Sequence, residues 1–562
     1  MNNAEIARVL DEIAVLLEMQ DVEWKPRAYR QAARRLEELS EPVEDVRERG
    51  ELEAIDGIGD TIAADVRAYL DEGEIERHRE LRDRYPVDAL ALTRVEGVGP
   101  KTVKRLYEAL GVQDLDQLEA AAVEGRVARV EGFGEATQQR ILDHIGLARE
   151  GDERELLGKA LPLVTGLVDE LSQRDAFEAI EPVGSVRRRA PTVGDVDLLA
   201  RAGDPEAAMD AFTGLDDVDR VFSRGDTRSS IVLGAGLQVD LRVVDADSWG
   251  SALVYFTGSK SHNIRLRRRA QDRGWKLNEY GLFADEERLA GGTEAEVYEA
   301  LDLAEIPPEL REDGGEVLAA EASELPDLVT EDDITGDMQM HTEWSDGAGS
   351  IREMAEAAAE LGHAFILLTD HGPDLRVAGG PEEDDITEIR AEAERAEEAT
   401  GVRVLVGIEA NITTKGGLDI SDQACRELDL VVASLHTRAG DATERIAKAI
   451  GEHPVDVLAH PTNRRIGWRE PNELDLDRLA EVCAEQGVAV EINAQPDRLD
   501  LPWRQVHRHR EAFDWVVSTD AHSPGQLGRM HLGLAQARKA WLEPEDVLNT
   551  RDPEEVVDHL RG

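Results

Sequence analysis

Residues 184–197 read GSVRRRAPTVGDVD, and this stretch decides what the chain folds into. Asp195 and Asp197 are two residues apart, so on an extended strand both carboxylates point to one face. Carboxylates forced side by side repel unless a divalent cation lies between them. A third, Asp240, sits in LQVDLRVV (237–244), where a lone acid inside an apolar strand is costly. Three converging carboxylates suit a pair of Mg²⁺ ions, one activating an attacking hydroxyl and the other neutralising a triphosphate and its leaving group. The Gly184-Ser185 turn and Arg188 offer N–H, hydroxyl and guanidinium donors to that triphosphate, with Gly194 opening the aspartate pair. An Asp-x-Asp pair alone is a weak signal. After Gly-Ser and Arg, and with a strand-borne Asp downstream, it is a strong one.

Upstream, the sequence reads as helices. Ile6, Val9, Leu10, Ile13, Leu16 and Leu17 recur at helical spacing, as do Tyr29, Ala32, Ala33 and Leu36. Three similar turns follow: IDGIGDTIA (55–63), VEGVGPKTV (95–103) and VEGFGEATQ (130–138). Each places two glycines around one apolar residue before a helix: Gly57 and Gly59, Gly97 and Gly99, Gly132 and Gly134. Such spacing permits positive φ and leaves N–H groups at a helix N-terminus, where they bind phosphate without lysine. One copy reads as an ordinary helix–helix turn; three copies form a repeat. They resemble helix-hairpin-helix motifs, which grip the DNA backbone without reading its sequence.

Downstream, the acidic stretch from Arg311 to Asp337 has the composition of a linker. Beyond it short apolar strands alternate with helices, the pattern of an α/β domain with a largely parallel sheet. Most of these strands end on a His, Asp or Glu: His341 and Asp346 in QMHTEWSDG, His371 in LLTDHG, Glu409 in VGIEAN, His436 in ASLH, His460 in LAHPTN, and Asp520 and His522 in STDAH. A lone histidine at a strand end is usually a hydrogen-bonded core residue. Eight potential ligands at successive C-terminal strand ends converge on one mouth. Imidazole with carboxylate suits Mn²⁺, Zn²⁺ or Fe²⁺ better than Mg²⁺, and hydrolysis of a phosphoester by metal-activated water is the chemistry such a set supports.

Residues 184–197 resemble the palm motif of family X DNA polymerases, and YFTGSKSHNIRLRRRAQDRGWKLNEYGLF (255–283) is similar to that family's nucleotide-binding thumb. The resemblance implies that Tyr255, Phe256 and Gly258 line the nucleotide sugar and minor groove, that Asn263 lies at the base edge, and that Arg267 lies near the template. From the residues alone, Tyr255 and Phe256 would pass for core. The C-terminal constellation resembles the polymerase and histidinol phosphatase (PHP) family, a seven-stranded (β/α)7 barrel with three metals. Eight of that family's nine ligands match. The departure is Gln339, in place of the first histidine; an amide ligates weakly, so one ion is expected to be loose or absent. Asp370 is expected to orient a ligand or close its strand. Glu491 and Asn493 are expected to line the pocket, and Arg376 to pair with a phosphate.

The implied organisation is multidomain α/β. It comprises a helical DNA-binding segment (1–80), helix-hairpin-helix fingers (81–150), a nucleotidyltransferase palm with a mixed sheet (151–245), a thumb (246–315), an acidic linker (316–335) and a PHP phosphoesterase barrel (336–562). The resemblance implies template-directed filling of short gaps in DNA repair, with dNTPs and gapped or primed duplex as substrates and Mg²⁺ at the palm. At the barrel it implies 3′–5′ exonuclease or abasic-site endonuclease activity with Mn²⁺ or Zn²⁺. Two other readings stay open: a DNA-binding scaffold with marginal polymerase activity, and a phosphoesterase that uses the N-terminal half for targeting. Repair members of family X often carry a 5′-deoxyribose-phosphate lyase whose lysine lies six residues beyond the second glycine of the first hairpin. Here that position is Asp65, and no lysine occurs between Lys25 and Lys101. Lys25, read as preceding Pro26 outside the helix, is the sole fallback, so lyase activity is expected to be absent.

Composition sets the outer bounds. At 562 residues, 41% of them hydrophobic, the chain has length and apolar content for several domains. The two cysteines, Cys425 and Cys483, cannot build a disulfide framework, and no apolar run reaches the roughly 18 residues of a membrane span. The expectation is a cytoplasmic monomer without a signal peptide. Asp and Glu total 119 against 64 Lys and Arg, a balance of −55, and only nine of those cations are lysine. Acids spread along the chain with lysine nearly eliminated lead to the expectation of a halophilic, archaeal source with a cytoplasm of high salt, where carboxylates keep the surface hydrated and their repulsion is screened. Counterion release gives little DNA affinity in such a medium, so oriented amides, metals and a few arginines must hold the DNA.

Overall fold

Val196–Arg201, the apolar run that follows Asp195, is an inner strand of a five-stranded mixed sheet in the computed structural model of the chain. The structure describes all residues except 1–2, 21, 23–24, 38–42, 56–57, 96, 151–153, 235, 374–378, 438–439, 467–468 and 470. Gly57 and Arg376 therefore lie outside the described residues. The chain divides into two units, Met1–Arg154 and Glu155–Gly562.

The described residues of the first unit form helices and short turns. Ile6, Leu10, Ile13, Leu16 and Leu17 of helix Asn3–Met19 are buried with Tyr29, Ala32, Ala33 and Leu36 of helix Lys25–Glu37, as the apolar spacing requires. The helix begins at Lys25 rather than after Pro26. Proline is tolerated in a first turn, whose N–H groups have no intrahelical partner. Gly59 and Gly99 are the N-caps of helices Asp60–Glu72 and Pro100–Leu110. The apolar residues before these two glycines, Ile58 and Val98, are buried, which anchors the turns and leaves Gly59 and Gly99 at the surface.

In the second unit the sheet runs β1 (Ala179–Pro182), β2 (Val196–Arg201), β3 (Val218–Arg224), β4 (Arg228–Leu233) and β5 (Gln238–Val244), in spatial order β1-β2-β5-β4-β3. Only β2 and β5 pair in parallel. Gly184–Arg187, which carries the Gly-Ser turn, is a single helical turn between β1 and β2. A three-stranded antiparallel sheet follows, of β6 (Trp275–Asn278), β7 (Gly281–Ala284) and β8 (Glu287–Ala290). The last part is a seven-stranded parallel sheet: β9 (Gly336–Met340), β10 (Phe365–Leu368), β11 (Arg403–Asn411), β12 (Leu430–Ser434), β13 (Val457–Ala459), β14 (Ala489–Asn493) and β15 (Trp515–Ser518), in that order. Met340 bridges to Ala521, and His341 N–H donates to Ala521 O at 2.8 Å, which brings the first strand against the end of the last and nearly closes a barrel. Every residue of β9, β10, β12, β13, β14 and β15 is buried, as strands covered on both faces should be.

The acidic stretch is a packed strap, not a free linker. Arg311 is fully buried and donates to Glu294 Oε1 (2.6 Å), Glu316 pairs with His262 Nδ1 (2.7 Å), and Val329 N–H donates to Leu542 O (3.0 Å). Ala494, Leu499 and Leu532 of the barrel join the apolar core of the five-stranded sheet. At Gly158 a Cβ would lie 2.7 Å from Pro496 and 2.9 Å from Leu532. Sheet and barrel are cemented by shared burial, each leucine contributing about 1.5–3 kcal/mol.

Candidate active sites

Register brings the first site together. On the parallel pair β2 and β5, Asp197 is the direct partner of Asp240, and Asp195 occupies the exposed bend just before β2. Asp240 is held by Ser230 Oγ (2.5 Å), Arg228 Nη2 (2.7 Å) and Gln238 Nε2 (3.1 Å). Burial, together with the charges of Asp195 and Asp240, pushes Asp197 up to about 6. A carboxylate made harder to ionise by two like neighbours is chemically suited to a divalent cation, which would relieve that repulsion. Gly184 has φ +64°, and a Cβ there would lie 3.1 Å from Asp197 Oδ2, so only glycine lets the Gly-Ser turn approach the carboxylates this closely.

The remaining expected contacts surround this centre unevenly. Phe256, at the end of helix Trp249–Thr257, lines a small cleft with Asp197, Arg228, Asp240 and Arg242, and Arg242 lies 4.6 Å over its ring. Tyr255 packs edge-on against Phe256 at 5.0 Å. Asn263 Nδ2 donates to Tyr255 O (2.7 Å) and Arg267 Nε to Asn263 O (3.2 Å), so these two side chains brace helix Lys260–Asp272. Gly258, with φ +72°, is the C-cap after Thr257, and Gly194 adjoins Asp195 in the exposed bend. Ser185 lies within the Gly184 turn. Arg188 donates to Thr257 O through Nη1 and to Glu312 Oε1 through Nε (3.2 Å).

The second site lies at the barrel mouth. Glu409, on β11, is its hub: its carboxylate lies 2.9 Å from His460 Nε2, 3.0 Å from His371 Nδ1, and 3.4 Å from both His436 Nε2 and His341 Nε2. His341 Nε2 is also 3.1 Å from Asp520 Oδ1. Asp346 Oδ1, at the rim, is 3.6 Å from His371 Nε2 and 3.5 Å from His522 Nε2. All eight expected ligands therefore converge. His341, Asp346, His371 and His522 form one group able to hold an ion, and His371, Glu409 and His436 form another.

Supporting contacts orient the ligands. Asp370 accepts from Thr342 N–H (2.8 Å), Thr342 Oγ1 (2.7 Å) and Ser345 Oγ (2.6 Å), fixing the loop between His341 and Asp346. Nδ1 of His522 faces its partner Asp520 O at 2.9 Å, leaving Nε2 toward Asp346. Glu491 accepts from His460 N–H (2.6 Å) and Asn493 Nδ2 (3.2 Å); burial and the Asp520 charge hold it well above the usual carboxylate range. Burial alone would lower His341, but Asp520 and Glu409 raise it to about 9, while Glu409 and Asp520 are held well below the usual range despite their burial. The cluster calls for positive charge. His371 Nδ1 and Glu409 Oε2 are buried without a hydrogen-bond partner among the described residues, as are both amide atoms of Gln339. This donor set fits divalent cations. Arg498, with Nε 3.6 Å from Asp520 Oδ2, and the Asp240 supports Arg228 and Ser230 escaped sequence reasoning, because cross-strand register and loop return are invisible in spacing.

Gly59, Gly97, Gly99, Gly132 and Gly134 are exposed at the head of their helices. Gly97 and Gly132 adopt φ +82° and +78°, and Gly134 O accepts from Thr137 and Gln138 N–H. A Cβ on Gly132 would lie 2.4 Å from Arg105 Nη2, and one on Gly97 would lie 3.3 Å from Arg140 Cδ. Asp65, by contrast, is bound by Tyr29 Oη and Arg77 Nη1.

Two separate carboxylate centres, each suited to divalent metals, place the chain among metal-dependent phosphoryl-transfer proteins. Residues 1–75 match a helix-hairpin-helix domain, 89–146 a SAM-like helix-hairpin-helix tandem, 252–312 the DNA polymerase beta thumb, and 337–495 the PHP domain. Over 572 aligned residues, spanning all of both chains, the sequence is 34% identical to the DNA polymerase/3′-5′ exonuclease PolX of Bacillus subtilis (strain 168). A probable phosphatase of Caldanaerobacter subterraneus is 33% identical over 38% of this chain and 86% of its own, and one of Edwardsiella ictaluri is 28% identical over 40% and 93%. The chain belongs to the family X DNA polymerases that carry a C-terminal PHP domain, the PolX type. Among the described residues no helix is long and apolar enough to cross a membrane.

Proposed function

We propose that this chain is a DNA polymerase that fills short gaps by template-directed addition of dNTPs and trims 3′ ends with its barrel as a Mn²⁺-dependent 3′–5′ exonuclease. The observation that carries the reading is the direct pairing of Asp197 with Asp240, beside Asp195, in a chain with a second, imidazole-rich centre at the barrel mouth. Mg²⁺ suits the all-carboxylate palm, and Mn²⁺ or Zn²⁺ suits the barrel; bound there, the ions would activate the attacking oxygen and neutralise charge on the phosphoryl group.

The chain's own residues do the positioning. Ser230, Arg228 and Gln238 fix Asp240 opposite Asp197, and Gly184 admits the Gly-Ser turn beside them. Arg188 is read as a triphosphate ligand, and Phe256 with Tyr255 as the wall against the sugar. The glycine hairpins hold the DNA backbone through oriented amides. In the barrel, Asp370 and Glu491 hold the ligand-bearing loops, and Arg498 is available to a phosphate. Extension and digestion of one labelled primer–template, with each dNTP and with Mg²⁺ or Mn²⁺, tests the assignment. Extension with dNTPs and 3′ shortening with Mn²⁺ alone are expected. Digestion without extension would favour a phosphoesterase targeted to DNA, the reading supported by the barrel's likeness to proteins called probable phosphatases. Neither activity would leave a scaffold.

A further inference from the structure

Helix Met530–Lys539 of the barrel ends on a lysine whose side chain is only 1% exposed. Its ammonium donates to Glu312 Oε1 at 2.7 Å and to the main-chain oxygen of Arg188 at 2.9 Å, and it lies 5.2 Å over the Trp503 ring. Glu312 Oε1 also accepts from Arg188 Nε at 3.2 Å. Two cations thus share one carboxylate oxygen. Arg188 and Glu312 are themselves only 17% and 16% exposed, so water does little to screen the contact. An apolar side chain of similar length would fill the place of Lys539 at less cost, since a buried charge rarely recovers its desolvation.

We propose that Lys539 is a positioning residue for nucleotide addition: it shares Glu312 with Arg188 and so keeps the arginine exchangeable between Glu312 and the incoming triphosphate. This rests on the reading of Arg188 as a triphosphate ligand. When Arg188 turns to the nucleotide, Glu312 keeps Lys539 and is not left as an uncompensated buried carboxylate. Without Lys539, the same movement would strip Glu312 of both cations that bond to its Oε1, with the charge of Arg504 remaining nearby, so Arg188 would be held back. Arg188 ends the turn that begins at Gly184, against Asp197, so the barrel reaches the palm centre through three side chains.

The test is steady-state extension by the full-length enzyme at saturating primed DNA, with K539M, K539R, E312Q, R188A and the K539M/E312Q double variant. K539M should raise the dNTP KM about tenfold, the usual weight of one charge-assisted contact, with kcat changed by no more than about twofold. K539R should stay near wild type. The double variant should recover most of the lost affinity, because no buried carboxylate remains to retain Arg188. Barrel exonuclease activity should be unchanged throughout, which reports that the chain is folded. An unaltered KM in K539M, or a double variant as impaired as K539M, would overturn the proposal. If K539M loses exonuclease activity and so proves unfolded, E312Q decides: a dNTP KM at or below wild type supports the proposal and a rise overturns it. R188A separates the two layers. An unchanged KM there removes the Arg188 reading and the proposal with it, whereas a raised KM beside a normal K539M overturns the proposal alone.

Discussion

His371 Nδ1 and Glu409 Oε2 lie 3.0 Å apart and make no hydrogen bond, a juxtaposition of two ligand atoms that a cation between them would explain. Alanine at His371, His436 or Asp520 is therefore expected to lower bound transition metal and suppress Mn²⁺-dependent digestion while extension continues; elemental analysis of the purified variants checks this, and unchanged metal in all three would refute the ligand set. Gln339, two residues before His341, is buried with both amide atoms lacking a hydrogen-bond partner among the described residues. Gln339→His should raise metal content, and no change would remove position 339 from the centre. The opposite chemistry holds at Asp65. A Schiff-base lyase needs a partly deprotonated lysine beside the bound 5′-phosphate, whereas this position carries an acid bound by Tyr29 and Arg77. Borohydride should trap no adduct on a 5′-deoxyribose-phosphate nick. An adduct mapping to the first 80 residues would contradict this, and Lys25, exposed in the first turn of its helix, is where it would map if the fallback holds.

Individual strands and helices show what was legible in the sequence and what was not. The Asp195–Asp197 spacing and the strand ends rich in His and Asp are local patterns and so are legible, although Asp195 lies in the bend before β2 rather than on the strand itself. Register is not local: Ser230 opposite Asp240 depends on how the chain returns between β4 and β5. In the stretch from Arg311 to Asp337 composition averages over ten acids and hides the few residues that pack it. Arg311 and Glu316 are buried as partners of Glu294 and His262, and Leu328 and Val329 are in the core. Gly158 gave no signal at all, since only the fold reveals Pro496 and Leu532 against it. Gly158→Val should overpack that seam and cost about 1–3 kcal/mol, lowering Tm and weakening extension and digestion together. An unshifted Tm would show that palm and barrel are not mutually supporting there.

At the scale of the whole molecule the balance of −55 sets like charges against one another, and their repulsion depends on salt. The Debye length falls from about 10 Å at 0.1 M to about 3 Å at 1 M salt, so repulsion among surface acids fades over that range. Thermal unfolding in KCl should show Tm climbing steeply between these concentrations, and a flat profile would contradict the salt-adapted reading. The central claim is that one chain houses two independent phosphoryl-transfer centres. The Asp195, Asp197 and Asp240 set and the Glu409 hub share no ligand and belong to different sheets. The most direct measurement follows one end-labelled primer–template with Asp195→Ala and Asp240→Ala, scoring extension and Mn²⁺-dependent shortening in parallel on folded protein. Extension should vanish in both variants while shortening persists at close to the wild-type rate; loss of both activities to the same degree would contradict the account.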